Sequence, residues 1–179
     1  MQFSHKWCIY SILFNEFFTV NPLLNKEPVK RAEKPIKAFD SKLEIICLAQ
    51  TARTAEDAAT ALGCNVGAIV KSLLFKTGDK FCLCLVSGDK RCSLNKLKKK
   101  LNQKDVSMAN PEEVKKITGY TIGGVSPIGH LVNTKIYMDK HLERFLKVFA
   151  AAGHPNAVFG ITFFELKKLT NSEVDDLTE

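Results

Sequence analysis

Two β-forming runs meet across a three-residue turn, and no other feature constrains the fold of this chain as strongly. Residues 68–76 and 80–87 are rich in Val, Ile, Leu, Phe and Cys, and Thr77, Gly78 and Asp79 separate them. Apolar β-formers on both sides of a short glycine-containing turn read as a β-hairpin. Helix signals surround it. Thr54 and Asp57 form a capping-box pattern ahead of an alanine-rich segment that ends at Leu62, with Gly63 as its stop. Ser93 is placed to cap a helix through Leu94, Leu97 and Leu101, and Asn110, Pro111, Glu112 and Glu113 open another that Gly119 ends. Farther on, 135–139 reads as a strand, 140–151 as a helix and 158–161 as a short strand, and Thr162 with Glu165 starts a last helix. Strands interleaved with helices predict a mixed α/β domain. A chain of 179 residues with 45% hydrophobic and 25% charged residues suffices for one domain with a sizeable core.

Lys71 is the anomaly inside the first run. Alternation puts Ile69, Lys71, Leu73 and Phe75 on one face and Val70, Ser72 and Leu74 on the other, so the ammonium shares a face with hydrophobes. Such a group loses hydration unless polar partners compensate. It is either a functional cation or a strand-end lysine whose head reaches solvent. A second anomaly lies at 118–130, where Gly119, Gly123, Gly124 and Gly129 crowd together with Pro127 and His130. Glycines let main chain approach a ligand closely, and free amides in such a loop can bind an anion or a polarised carbonyl. The segment carries neither of the usual nucleotide-loop patterns, Gly-x-x-x-x-Gly-Lys or Gly-x-Gly-x-x-Gly.

These segments together resemble the YbaK/ProX family. The resemblance rests on Ile69-Val70-Lys71-Ser72-Leu73, the Gly-Gly-x-x-Pro-x-Gly loop at 123–129, and Arg53-Thr54-Ala55-Glu56-Asp57-Ala58-Ala59 with Leu62-Gly63. Val86-Ser87-Gly88-Asp89, the segment Ala152-Gly153-His154-Pro155-Asn156-Ala157-Val158-Phe159 and the tail at 166–170 extend it over roughly residues 30–178. The family comprises free-standing aminoacyl-tRNA deacylases similar to the editing domain inserted in bacterial prolyl-tRNA synthetases. The resemblance implies a central mixed, partly barrel-like β-sheet flanked by helices. It further implies hydrolysis by water attack of the ester on a mischarged tRNA, with Lys71 as the essential catalytic lysine. Gly123, Gly124, Val125, Ser126 and Pro127 are implied as the loop that holds the aminoacyl group. Gly129 and His130 adjoin it and are named with it as substrate-binding candidates, His130 being either a ligand contact or a structural hydrogen-bonding group. A non-catalytic tRNA-binding or partner-binding module on the same fold is the alternative, and an enzyme for another small acyl ester is a third.

The formal charge is +7, and Lys90, Arg91, Lys96, Lys98, Lys99, Lys100 and Lys104 crowd one stretch with Asp89 and Asp105 as its only acids. A helix face carrying Lys96, Lys99 and Lys100 either aids solubility or meets tRNA phosphates, and the resemblance favours phosphate contact. The expected partner is the acceptor end of aminoacyl-tRNA, with an aminoacyl-tRNA synthetase as a second candidate. Ser72 and Ser126 lack a Gly-x-Ser-x-Gly elbow, which disfavours a serine triad.

The six cysteines, Cys8, Cys47, Cys64, Cys82, Cys84 and Cys92, form no Cys-x-x-Cys pair, which points to a reducing, cytoplasmic setting. Cys82 and Cys84 share a strand face but have no His or carboxylate at ligand spacing, and His5, His130, His141 and His154 are scattered. No metal and no cofactor are expected. The apolar stretch at 7–20 is interrupted by Asn15 and Glu16, too short and broken for a membrane span and without a clear cleavage site. Residues 1–28 are taken as an extension of unknown role, and 29–179 as the domain.

Overall fold

The computed structural model describes residues 21–49, 52 and 54–179; the apolar stretch at 7–20, His5, Cys8 and Arg53 lie outside the described residues. Along the chain the elements are α1 (Glu27–Phe39), β1 (Ile45–Cys47), α2 (Ala55–Leu62), β2 (Ile69–Thr77), β3 (Lys80–Ser87), α3 (Leu94–Leu101) and β4 (Ser107–Met108). Then follow α4 (Pro111–Thr118), β5 (Lys135–Asp139), β6 (Val148–His154), β7 (Ala157–Ile161), α5 (Phe163–Thr170) and β8 (Glu173–Asp175).

The expected hairpin forms as β2 and β3, in antiparallel register from Val70 opposite Ser87 to Thr77 opposite Lys80. Gly78 takes φ +55° at its turn. Capping boxes form where the sequence places them. Thr54 Oγ1 accepts from the Asp57 amide at 3.1 Å, and Asp57 Oδ2 accepts from the Thr54 amide at 3.1 Å. Asn110 with Glu113 and Thr162 with Glu165 repeat the arrangement. Ser93 occupies the position before α3 but makes no side-chain capping bond.

One expected element changes type. The predicted helix at 140–151 is a 3₁₀ turn, Lys140–Arg144, followed by β6. Val148, Ala150 and Ala152 are fully buried, whereas Phe149 and Ala151 are less so, which is the two-residue period of a strand. Alanine's helix preference amounts to only about half a kcal/mol per residue, and a place between β2 and β7 in the sheet outweighs it.

The sheet runs in the order β1-β7-β6-β2-β3-β5-β8, with β4 paired to β2 off that path. β2 is parallel to β6, β3 to β5 and β5 to β8, and the other neighbours are antiparallel, so the sheet is mixed. Alternation along β2 and β3 sorts side chains between its faces. Val70, Leu74, Leu83 and Leu85 join the main core with Val29, Ala32 and Ile36 of α1. Phe75, Cys82, Cys84 and Val86 join a second core with Leu97 of α3 and Leu177. The paired cysteines thus pack as small hydrophobes. Leu23 and Leu24, ahead of α1, also pack against the main core. Among the described residues no helix is long and apolar enough to cross a membrane.

Candidate active site

The sheet has a gap, and the site sits in it. One edge of β2 pairs with β3 along its length, but the other is shared by two partners. β6 pairs with Ile69 and Val70, and β4 with Phe75 and Lys76. Between them the edge is open, and a cavity of about 310 Å³ lies against it. Its walls come from β2 (Ile69 to Leu74), from Ala52, Thr54, Ala55 and Ala58 around the start of α2, and from Met108, Ala109 and Val114. Ile122, Gly123, Val125, Phe149, Ala151, Pro155 and Val158 complete it. A concave, mostly apolar cavity with a few polar groups is the usual form of a small-ligand site.

Lys71 is the cation on that wall. It is half-buried, and its ammonium donates to the Gly88 carbonyl at 3.0 Å and to the Lys90 carbonyl. Burial pulls its pKa below the ordinary lysine value, while the carboxylates of Glu56 and Asp89 push back. An ammonium has three N–H donors, so two carbonyl acceptors leave one for a ligand. The turn that supplies those carbonyls is itself held. Ser87 Oγ donates to the Gly67 carbonyl at 2.5 Å, and Arg144 Nη2 donates to Asp89 Oδ1 at 2.9 Å. Burial alone raises the Asp89 pKa, but the hydrogen bond and positive charge of Arg144 outweigh it and hold the carboxyl low.

The glycine loop reaches the same cavity with its first half only. Gly123, at φ +86°, and Val125 stand on the wall. Gly124 presses against the main chain of His154, where a Cβ would come within 2.8 Å of its Cα. The second half packs inward. Ser126 is fully buried, and its Oγ accepts from the Ile128 amide. His130 Nε2 donates to the Ser126 carbonyl at 2.8 Å, and burial pushes the imidazole pKa down. Of the two readings of His130, the hydrogen bond within the loop is the one the geometry forms. Pro127 is buried in the loop, and Gly129 lies against Arg31 and Tyr120, none of these four lining the cavity.

Two residues that sequence reasoning passed over hold the loop ends. Arg31 of α1 donates from Nη2 to the Gly119 carbonyl at 2.9 Å and from Nε to the Gly129 carbonyl at 3.0 Å, with its guanidinium 4.6 Å over the Tyr120 ring. The Tyr120 hydroxyl donates to the Ile128 carbonyl at 2.9 Å. Arg31 lies 88 residues before Gly119, and no local pattern marks that contact.

Two of the four lysines on the basic helix are paired with acids of the C-terminal segment. Lys100 pairs with Glu173 and, at 2.6 Å, with Asp175; Lys96 pairs with Asp176 at 2.7 Å. Hydrogen bonds from Lys96 and Lys140 hold the Asp176 carboxyl down to about 2. Lys99 is exposed, with no ion-pair partner among the described residues.

Residues 49–169 match the aminoacyl-tRNA editing domain family. The uncharacterized protein YwhH of Bacillus subtilis is 36% identical over 122 residues, covering 68% of this chain and 77% of its own length. The proline–tRNA ligase of Caldicellulosiruptor bescii is 34% identical over 128 residues, which is 72% of this chain but 21% of that enzyme. A solved structure of a protein provisionally described as a trans-editing enzyme for prolyl-tRNA synthetase superposes with a TM-score of 0.82. It is 38% identical and covers 86% of this chain and 98% of its own. The chain belongs to the aminoacyl-tRNA editing domain family.

Proposed function

We propose that this protein is a trans-editing deacylase that hydrolyses the ester of a mischarged aminoacyl-tRNA by direct attack of water. The observation that carries the reading is that Lys71 and the start of the glycine loop, Gly123 and Val125, line one cavity at the open edge of β2. The remaining N–H of the Lys71 ammonium is available to the ester carbonyl, where negative charge develops as water adds. The Gly88 and Lys90 carbonyls fix the ammonium in place. Its positive charge is therefore arranged before the substrate arrives, and the transition state gains more from it than the ground state does. Gly123 and Val125 border the acyl group in the same cavity, and Arg31 and Tyr120 hold their loop in position.

A nucleophilic serine fits poorly. Ser126 is buried, and the imidazole of His130 is bonded to its carbonyl rather than to its hydroxyl. For the tRNA body, Lys99 is the basic-helix residue most open to phosphate, whereas Lys96 and Lys100 must exchange acidic partners to reach it. The acceptor end of aminoacyl-tRNA is the proposed ligand, a synthetase the proposed partner and the cytoplasm the proposed setting. The test is a deacylation screen over a panel of mischarged tRNAs. Multiple-turnover release of at least one amino acid supports the reading. Tight tRNA binding without release of any points to the non-catalytic module, and cleavage of free aminoacyl esters as fast as charged tRNA points to a different esterase.

A further inference from the structure

Ser72 is a polar residue on the cavity wall whose groups the protein itself leaves unused. Its Oγ is shielded from solvent and has no hydrogen-bond partner among the described residues. Leaving a hydroxyl in that state is unfavourable, and such groups call for an explanation. The main chain at the same residue is open too. The Leu74 carbonyl accepts from the Ala109 amide at 2.9 Å on the β4 side of β2. Backbone groups alternate between strand edges with a period of two, so the N–H and C=O of Ser72 face that same edge. The β6 ladder stops at Val70 opposite Ala150, and the β4 ladder starts at Phe75 opposite Met108. Ser72 falls between them. One residue therefore offers the cavity a main-chain donor, a main-chain acceptor and, after a single side-chain rotation, a hydroxyl.

We propose that Ser72 is the docking point for the α-aminoacyl group, which binds as a one-residue strand. In an antiparallel ladder a hydrogen-bonded pair exchanges two bonds, each residue giving its N–H to the other's C=O. An α-aminoacyl ester carries an amine and a carbonyl on one carbon, the same spacing as a backbone residue. Its amine donates to the Ser72 carbonyl and its ester carbonyl accepts from the Ser72 amide, in the manner of a peptide added to a sheet edge. A second amine hydrogen satisfies the orphan hydroxyl. The protein thereby requires a free α-amine, whatever side chain the amino acid bears.

This inference rests on the proposed deacylation, and its test separates the two. The 3′-alanylamide of 3′-amino-3′-deoxyadenosine, which cannot be hydrolysed, and its N-acetyl derivative are titrated into the ¹⁵N-labelled protein. The Ser72 amide resonance moves farther with the free-amine probe than with the acetylated one, which keeps a single N–H for the ladder but loses the hydrogen that reaches the Ser72 hydroxyl. Deacylation of the most readily cleaved aminoacyl-tRNA falls at least about tenfold on N-acetylation, as expected for loss of a hydrogen bond to a charged group. Ser72→Ala slows cleavage of the free-amine substrate by about tenfold and leaves the acetylated one unchanged. It does not lower the melting temperature, because the hydroxyl it removes has no partner in the free protein. Cleavage of both substrates within threefold of each other, or a Ser72 amide that stays still while the Gly123 amide shifts, overturns the proposal. If no aminoacyl-tRNA is cleaved but the amide responds to the free-amine probe more strongly than to the acetylated one, docking stands and hydrolysis does not.

Discussion

Substituting Gly124 by alanine tests whether the glycine loop is held by contact with the β6–β7 hairpin. A Cβ at Gly124 falls 2.8 Å from His154 Cα and 3.0 Å from its N and C atoms, about 0.6 Å short of an ordinary 3.4 Å contact. The obstacle is main chain, which has no rotamer to yield, so the loop must retreat from the cavity wall. Overpacking of this kind costs about 2 kcal/mol, which for a domain this size lowers the melting temperature by about 4–8 °C. A shift of this size at a site where 1 Å is worth about a hundredfold slows the chemical step by roughly tenfold. Gly123→Ala is the control, because the nearest atom there is Pro155 Cγ at 3.4 Å and the penalty comes from φ +86°, about 1–2 kcal/mol of backbone strain. Thermal melts and single-turnover deacylation of both variants measure the two effects. A Gly124→Ala protein with wild-type melting temperature and rate refutes the account of the loop.

The remaining predictions concern charge. Lys99→Ala weakens tRNA binding and reduces the salt dependence of log K by about one, as for loss of one phosphate contact, whereas Lys100→Ala chiefly lowers thermal stability because its partners are Glu173 and Asp175; filter binding at several salt concentrations, with melts, separates them. Burial lowers the Lys71 pKa, so the Lys71-dependent part of the rate, wild type minus Lys71→Ala, declines at a pH below the ordinary lysine value of 10.5; a plateau through that value contradicts it. Asp176 is held down to about 2 from an ordinary 3.8, so its contribution to stability is fully present above 3.8 and is lost as pH falls toward 2; acid melts of Asp176→Asn show a shallower decline over that window.

What could be read from the residues alone follows the range of the interactions involved. The hairpin, the helix caps at Thr54, Asn110 and Thr162 and the faces of β2 depend on neighbours a few positions apart, and the sequence shows them directly. The helix α1 is less visible. Its buried stripe of Val29, Ala32 and Ile36 is preceded by Pro28 and interrupted by Pro35, and an internal proline argues against a helix unless tertiary packing overrides it. At 148–154 the alanines favour a helix locally, and pairing with the adjacent β7 and with β2, distant in sequence, makes a strand. The site divides in the same way. Lys71 and Gly123 stand out as chemical anomalies, whereas the open edge at Ser72 exists only because β6 and β4 stop short of each other. The inward turn of Ser126 and His130 likewise depends on Arg31 and Tyr120, which no spacing rule connects to them.

The central claim is that a fixed cation in an apolar cavity stabilises the charge that develops on the ester. Single-turnover deacylation by wild type and Lys71→Ala, on the aminoacyl-tRNA cleaved fastest and with melting curves recorded in parallel, tests it most directly. Loss of one preorganised donor to an oxyanion costs about 3–4 kcal/mol, so the variant is expected to be folded and slower by about 10²–10³. A folded Lys71→Ala protein that cleaves within threefold of the wild-type rate contradicts the account.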